Sequence, residues 1–174
     1  EPMFNRHSAV ACFSALPLLV VSVLAQNQSQ ISNPNRKGAS VSNHATGIFE
    51  VKITPQTSDN TPDHASLGRM TIDKQFHGGL DGVSKGQMLT AGTPIKGSAG
   101  YVAIEKVTGT LDGRGGTFIL QHHATMTRGV PRLDIEVVPD SGTGQLTGLT
   151  GQMTINIVDG KHSYDFEYKL PQPE

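Results

Sequence analysis

The stretch YVAIEKVTGTLDGRGGTFILQHHATM, Tyr101 to Met126, holds two runs in which apolar and polar residues alternate on either side of an Asp-Gly pair. Alternation with period two is the signature of a half-buried strand, and Asp-Gly between two such runs is a strong hairpin signal. Matching apolar residues across this hairpin sets Val107 opposite Leu120, Gly109 opposite Phe118 and Tyr101 opposite Met126. Glu105 then falls opposite His122. Adjacent residues of a strand point to opposite faces. His122 therefore shares a face with Phe118, Leu120 and Met126 and is expected inside. His123 shares a face with Thr117, Ile119, Gln121 and Thr125 and is expected outside, so the two imidazoles cannot ligate one metal without a bulge.

The same period recurs outward from this hairpin. Phe49, Val51 and Ile53 alternate with polar residues, as do Met70 and Ile72, then Leu133, Ile135 and Val137, then Tyr164, Phe166, Tyr168 and Leu170. Eight segments result, roughly 46–54, 66–77, 80–90, 97–110, 115–127, 131–138, 150–158 and 161–170. Turn signals separate them: Gly78-Gly79, Gly92-Thr93-Pro94, Asp112-Gly113, Gly129, Asp140-Ser141-Gly142 and Asp159-Gly160. Asp159-Gly160 as a two-residue turn pairs Val158 with Lys161 and brings Ile155 to Tyr164 and Met153 to Phe166. No helical period survives. Eight antiparallel strands with short links predict an all-β, closed up-and-down barrel, which leaves no open edge. A two-sheet sandwich is the competing shape.

The ends of the chain differ from this pattern. Arg6 and His7 precede the apolar run SAVACFSALPLLVVSVLA, which gives way abruptly to QNQSQ. A basic start, an apolar stretch and small residues at Val23 and Ala25 predict an N-terminal export signal over residues 1–25, cleaved before Gln26. A retained membrane anchor is the alternative, but the run carries Pro17, Ser14 and Ser22 and is short for a span. Residues 26–44 are polar and aperiodic and are expected to form a disordered linker. The barrel domain is placed at 45–170. Cleavage would remove Cys12, leaving no cysteine, so stability must come from packing and strand pairing. The expected localisation is secreted or periplasmic.

With 17% charged residues and a formal net charge of −1, the chain shows no basic face for nucleic acid. No membrane span is expected once the signal is removed, and no cofactor motif is present. Of seven histidines, His7 lies in the leader and His44 and His64 are read as loop residues. None has the i, i+2 strand spacing that would place two ligands on one face, so no metal is expected. SGTGQLTGLTGQM lacks the Lys-Ser/Thr of a phosphate loop and reads as a glycine-rich barrel-corner strand. Arg69, Lys74, Lys85 and Lys106 read as scattered, solvated charges.

Three long motifs, LGRMTIDKQFHGGLDGVSKGQML, GSAGYVAIEKVTGTLDGRGGTFILQHHATMTRG and VPDSGTGQLTGLTGQMTINIVDGKHSYDFEYKL, resemble the bacterial family of domain of unknown function 3224 over about residues 45–170. The resemblance implies an allene-oxide-cyclase-like barrel, and it implies no activity. Localisation is not carried over from it, and His123 departs from its pattern.

The interior candidates are Glu105 and His122, a carboxylate beside an imidazole, with Tyr101, His162 and Tyr164 as further donors. Such a pair could perform acid–base chemistry on a bound molecule, or simply be a satisfied buried cluster that fixes strand register. Three functions follow. The barrel binds a small apolar or lipid-derived ligand in its lumen, or is a cyclase or isomerase acting on such a ligand, or is a structural or interaction protein, a homo-oligomer included, with a filled core.

Overall fold

A computed structural model of the chain describes residues 42–56 and 67–171. The export signal, its cleavage point and most of the linker lie outside the described residues. Eight antiparallel strands follow one another: β1 (Asn43–Pro55), β2 (Leu67–Gly78), β3 (Leu80–Gly92), β4 (Ala99–Leu111), β5 (Arg114–Thr127), β6 (Val130–Val137), β7 (Thr150–Val158) and β8 (Lys161–Lys169). They pair in chain order, and β1 pairs with β8, which closes the sheet into a barrel. β1 starts at Asn43, opposite Tyr168, so that His44 is a strand residue and not a loop residue.

Three hairpins turn on two residues with positive φ: Asp112-Gly113, Arg128-Gly129 and Asp159-Gly160. This is the type I′ turn, whose twist matches that of the flanking strands. It settles the β4–β5 register. Leu111 pairs with Arg114, which puts Val107 opposite Phe118, Glu105 opposite Leu120, Ala103 opposite His122 and Tyr101 opposite Ala124. The sequence-based pairing is therefore two residues out. A two-residue slip keeps every side chain on its own face, so apolar matching could not detect it. The turn geometry could. The β7–β8 register is as expected, with Val158 on Lys161 and Met153 on Phe166.

The barrel has a closed end and a mouth. At the closed end Phe76, Leu80, Leu111, Phe118, Phe166 and Tyr168 pack in one core, and Leu146 and Leu149 plug it from below. Both leucines belong to the glycine-rich segment, which is not a corner strand until Thr150. It forms a short 3-10 helix, Gly144–Leu146, in the crossing from β6 to β7. Gly142 and Gly116 allow this: a Cβ at either would collide with the backbone of Leu146 or Thr143. The segment also satisfies the edge of β5 that β6 leaves uncovered. Thr143 N donates to Thr117 O, Thr117 N to Thr143 Oγ1 and Ile119 N to Ser141 Oγ. Two tyrosines bind the closed end together. Tyr164 Oη accepts from Leu80 N at 2.9 Å, and Tyr168 Oη donates to Asp112 Oδ2 at 2.5 Å.

One seam of the cylinder is thin. β6 and β7 are joined by a single residue pair, Glu136 with Gln152. Every other neighbouring pair of strands is laced over seven residues or more.

Candidate functional site: a buried ion-pair layer beneath an apolar mouth

Strand alternation places Lys74 between Ile72 and Phe76, both buried, and Ser84 between Leu80 and Met88 on the inward face of β3. Neither points to solvent. Lys74 is thus not one of the scattered surface charges that its residue type suggested. With Glu105 of β4 and His122 of β5 these side chains form a polar layer across the middle of the lumen. Gly86, paired with Glu105, lets β3 and β4 approach so closely that a Cβ would meet the Glu105 Cα at 3.0 Å.

Glu105 is the centre of the layer and is 0% exposed. Lys74 Nζ donates to its Oε2 at 2.8 Å, and Ser84 Oγ donates to its Oε1. His122 Nε2 stands 2.9 Å from the same Oε2. Lys74 also lies over the rings of Phe49 and Phe76, 5.0 and 5.6 Å from their centroids. Burial pushes the Glu105 carboxyl upward. His122, the charge and hydrogen bond of Lys74, and the Ser84 hydroxyl outweigh it and hold the carboxyl down at about 2. Glu105 is therefore an ionised carboxylate across the physiological range.

The imidazole is different. His122 is 3% exposed, yet its Nε2 makes no hydrogen bond of acceptable direction, the one such buried side-chain atom among the described residues. That Nε2 nonetheless stands 2.9 Å from Glu105 Oε2 and faces the carboxylate closely enough to help hold it ionised. A lone pair on Nε2 facing a carboxylate at this range would be repelled, which assigns the ring proton to Nε2.

Above the layer, Ile72, Met88 and Ala103 form a small second apolar cluster, with Met70, Val51 and Tyr101 packed on it. It roofs Lys74 and Glu105 on the β2–β4 side. On the β5 side the next inward residue is Ala124, and beyond it the lumen opens. A cavity of about 410 Å³ lies there, walled by Tyr101, Ala124, Met126, Leu133 and the ends of β3 and β4. Ile53, Met126, Leu133 and Ile157 point inward by alternation but remain 37–60% exposed around this mouth.

Of the five residues expected in the interior, the structure brings Glu105 and His122 into contact despite the shifted register. Tyr101 stands half-buried on the mouth wall, where burial, then the Glu105 charge, raises its hydroxyl. His162 packs with its ring tilted against Phe49, 5.1 Å between centroids, and is not part of the polar layer. Tyr164 belongs to the closed end, its hydroxyl engaged by Leu80 and His77. His123 is outward, 3.9 Å from Asp134. Among the described residues no group of three or more His, Cys, Asp or Glu is close enough to hold a metal.

Among the described residues, a closed barrel packed at one end, with a charged layer at mid-height and exposed inward-facing apolar side chains at the other, is the class of protein that this fold and site define. Residues 45–168 match the family described as protein of unknown function (DUF3224), and the chain belongs to that family. It is similar to a crystal structure of a protein with unknown function from the same family, from Shewanella oneidensis MR-1, at 50% identity and a TM-score of 0.71. That match covers 76% of this chain and 100% of the other. No curated protein matches the chain.

Proposed function

We propose that this is an exported barrel that binds a small apolar ligand at the mouth of its lumen. The supporting observation is a cavity of about 410 Å³ among the described residues, walled in part by Met126 and Leu133, at an end of the barrel where Ile53 and Ile157 also face inward yet stay exposed. An eight-stranded barrel is just wide enough to be filled by side chains or to hold one small molecule. Among the described residues the closed half is filled and the open half is not. The polar layer favours binding over catalysis. Glu105 is fully buried, and a carboxylate held at about 2 is a weak base for abstracting a proton. A cyclase or isomerase acting through Glu105 would need a more exposed and more basic carboxylate.

Fluorescence of N-phenylnaphthylamine tests the reading. Saturable binding is expected, and Ala124→Phe, which fills the cavity, should weaken it at least tenfold while the circular dichroism spectrum is kept. Absence of saturable binding, or indifference to Ala124→Phe, would sink the lumen site. Export is tested separately: N-terminal sequencing of the exported protein should begin at Gln26.

A second reading is favoured by the outer wall. Leu89, Val102 and Ile104 of β3 and β4 face outward, each at least half exposed, in a surface groove of about 790 Å³ flanked by Arg69 and His123. Exposed apolar patches of this kind mark association surfaces. A homo-oligomer through this wall predicts a mass in light scattering that falls to the monomer in Val102→Glu.

A further inference from the structure

Resting on the lumen-binding reading, we infer that the ligand is an apolar molecule carrying a hydrogen-bond-accepting oxygen, as in a ketone, ester or ether, and that the Tyr101 hydroxyl donates to that oxygen.

Three observations carry this. First, Tyr101 stands half-buried on the cavity wall, and its hydroxyl has no hydrogen-bond partner among the described residues. The chain's other two tyrosines are both engaged, Tyr164 with Leu80 and Tyr168 with Asp112. A phenol that enters a protein interior usually finds a partner. Second, its ring is anchored and its neighbours are low. Tyr101 packs on the cluster of Ile72, Met88 and Ala103. Across the sheet it pairs with Thr90 of β3 and Ala124 of β5, both smaller and both on the cavity wall. Third, the other polar side chains of this wall are turned elsewhere. Thr90 Oγ1 leans toward β2 and lies 2.5 Å from where a Cβ on Gly68 would stand. Thr125 and Arg132 pair with each other on the outward face, and Arg132 Nε donates to Asp134 at 3.0 Å. Tyr101 is thus the donor that remains on a wall made otherwise of Ala124, Met126 and Leu133. Burial and the Glu105 charge raise its hydroxyl, so it keeps its proton at neutral pH. A single polar group set in an apolar pocket fixes the orientation of what binds there. A plain hydrocarbon would displace water from the hydroxyl and leave it unpaired, whereas an oxygen acceptor replaces that water.

The test compares nonane with 2-nonanone as competitors of bound N-phenylnaphthylamine. Tyr101→Phe removes one oxygen and keeps the ring. The affinity of the ketone relative to nonane should fall about three- to tenfold in this variant, the worth of one neutral hydrogen bond. Thr90→Val should lower the same ratio by less. The infrared carbonyl band of bound 2-nonanone gives a reading in the native protein itself. It should lie at lower wavenumber than in hexane, and Tyr101→Phe should move it back. A ratio unchanged by Tyr101→Phe, a larger fall in Thr90→Val, or a native carbonyl band at its hexane position would overturn the inference. Failure of the probe to bind the native protein would instead overturn the lumen site.

Discussion

At the closed end of the barrel, Phe76, Phe118, Phe166, Leu80, Leu111, Leu146 and Leu149 are fully enclosed, and Phe118 stacks on Phe166 at 5.7 Å between centroids. At the mouth, inward positions of the same strands carry Ile53, Met126, Leu133 and Ile157, which are apolar and open to solvent. The two ends share strand pairing, inward alternation and tight turns. They differ in whether a plug follows. Residues 138–149 fold back across the closed end, whereas two of the links at the mouth, Arg128-Gly129 and Asp159-Gly160, are two-residue turns. Among the described residues the packed core is thereby concentrated at one end.

The largest expected effect is at the closed end. Phe166→Ala removes a buried ring and leaves a cavity, at a cost of about 3–5 kcal/mol in urea unfolding. Met126→Ala at the mouth should cost less than about 1 kcal/mol because the side chain is already partly solvated. Equal losses at the two positions would erase the distinction between the ends.

The layer between the ends comes next. Glu105→Leu leaves the Lys74 charge buried without its partner and should cost about 3 kcal/mol or more. Adding Lys74→Met should recover much of that loss, and a double variant no more stable than the single would contradict the pairing. His122→Ala should cost less than Glu105→Leu, because Lys74 and Ser84 still hold the carboxylate. Acid provides an independent measure. The Glu105 carboxyl is held at about 2 in the folded protein, below its ordinary 4.5, so the folded state binds fewer protons than the unfolded one. The resulting stabilisation, about 3 kcal/mol, is complete above pH 4.5 and is lost as the pH falls from there toward 2. Urea midpoints taken from pH 6 to pH 2 should show this loss, and the Lys74→Met/Glu105→Leu double variant should show less of it.

The smallest effect is expected outside the barrel. His123→Ala should change stability by no more than about 0.5 kcal/mol, as for other exposed positions. A larger loss would mean that its approach to Asp134 matters to the wall.

Much of this architecture was readable from period-two alternation. The eight segments, the closed barrel and the inward His122 and outward His123 all follow from it. The β4–β5 register did not, because shifts of two residues leave the apolar faces matched, and only the chemistry of Asp112-Gly113 chooses among them. Lys74 and Ser84 were overlooked for a related reason. Their residue types suggested solvent, while their parity with Ile72, Phe76, Leu80 and Met88 placed them inside. Parity was the better guide. The plug was not legible: glycines that permit coiling in a strand also permit the backbone contacts of Gly142 and Gly116, and composition does not separate the two.

The single pair joining β6 to β7 gives the cylinder a consequence of its own. Topologically the sheet has no ends. Energetically it retains two, each with amides and carbonyls that the facing strand does not take up, and exposed strand edges recruit further strands from other molecules. β6 carries the means to discourage this. Pro131 withholds an amide, and Arg132, Asp134 and Glu136 line its outer face with charge, Arg132 bonded to Asp134 at 3.0 Å. Stripping those charges would convert a wall of the container into a template for edge-to-edge polymerisation.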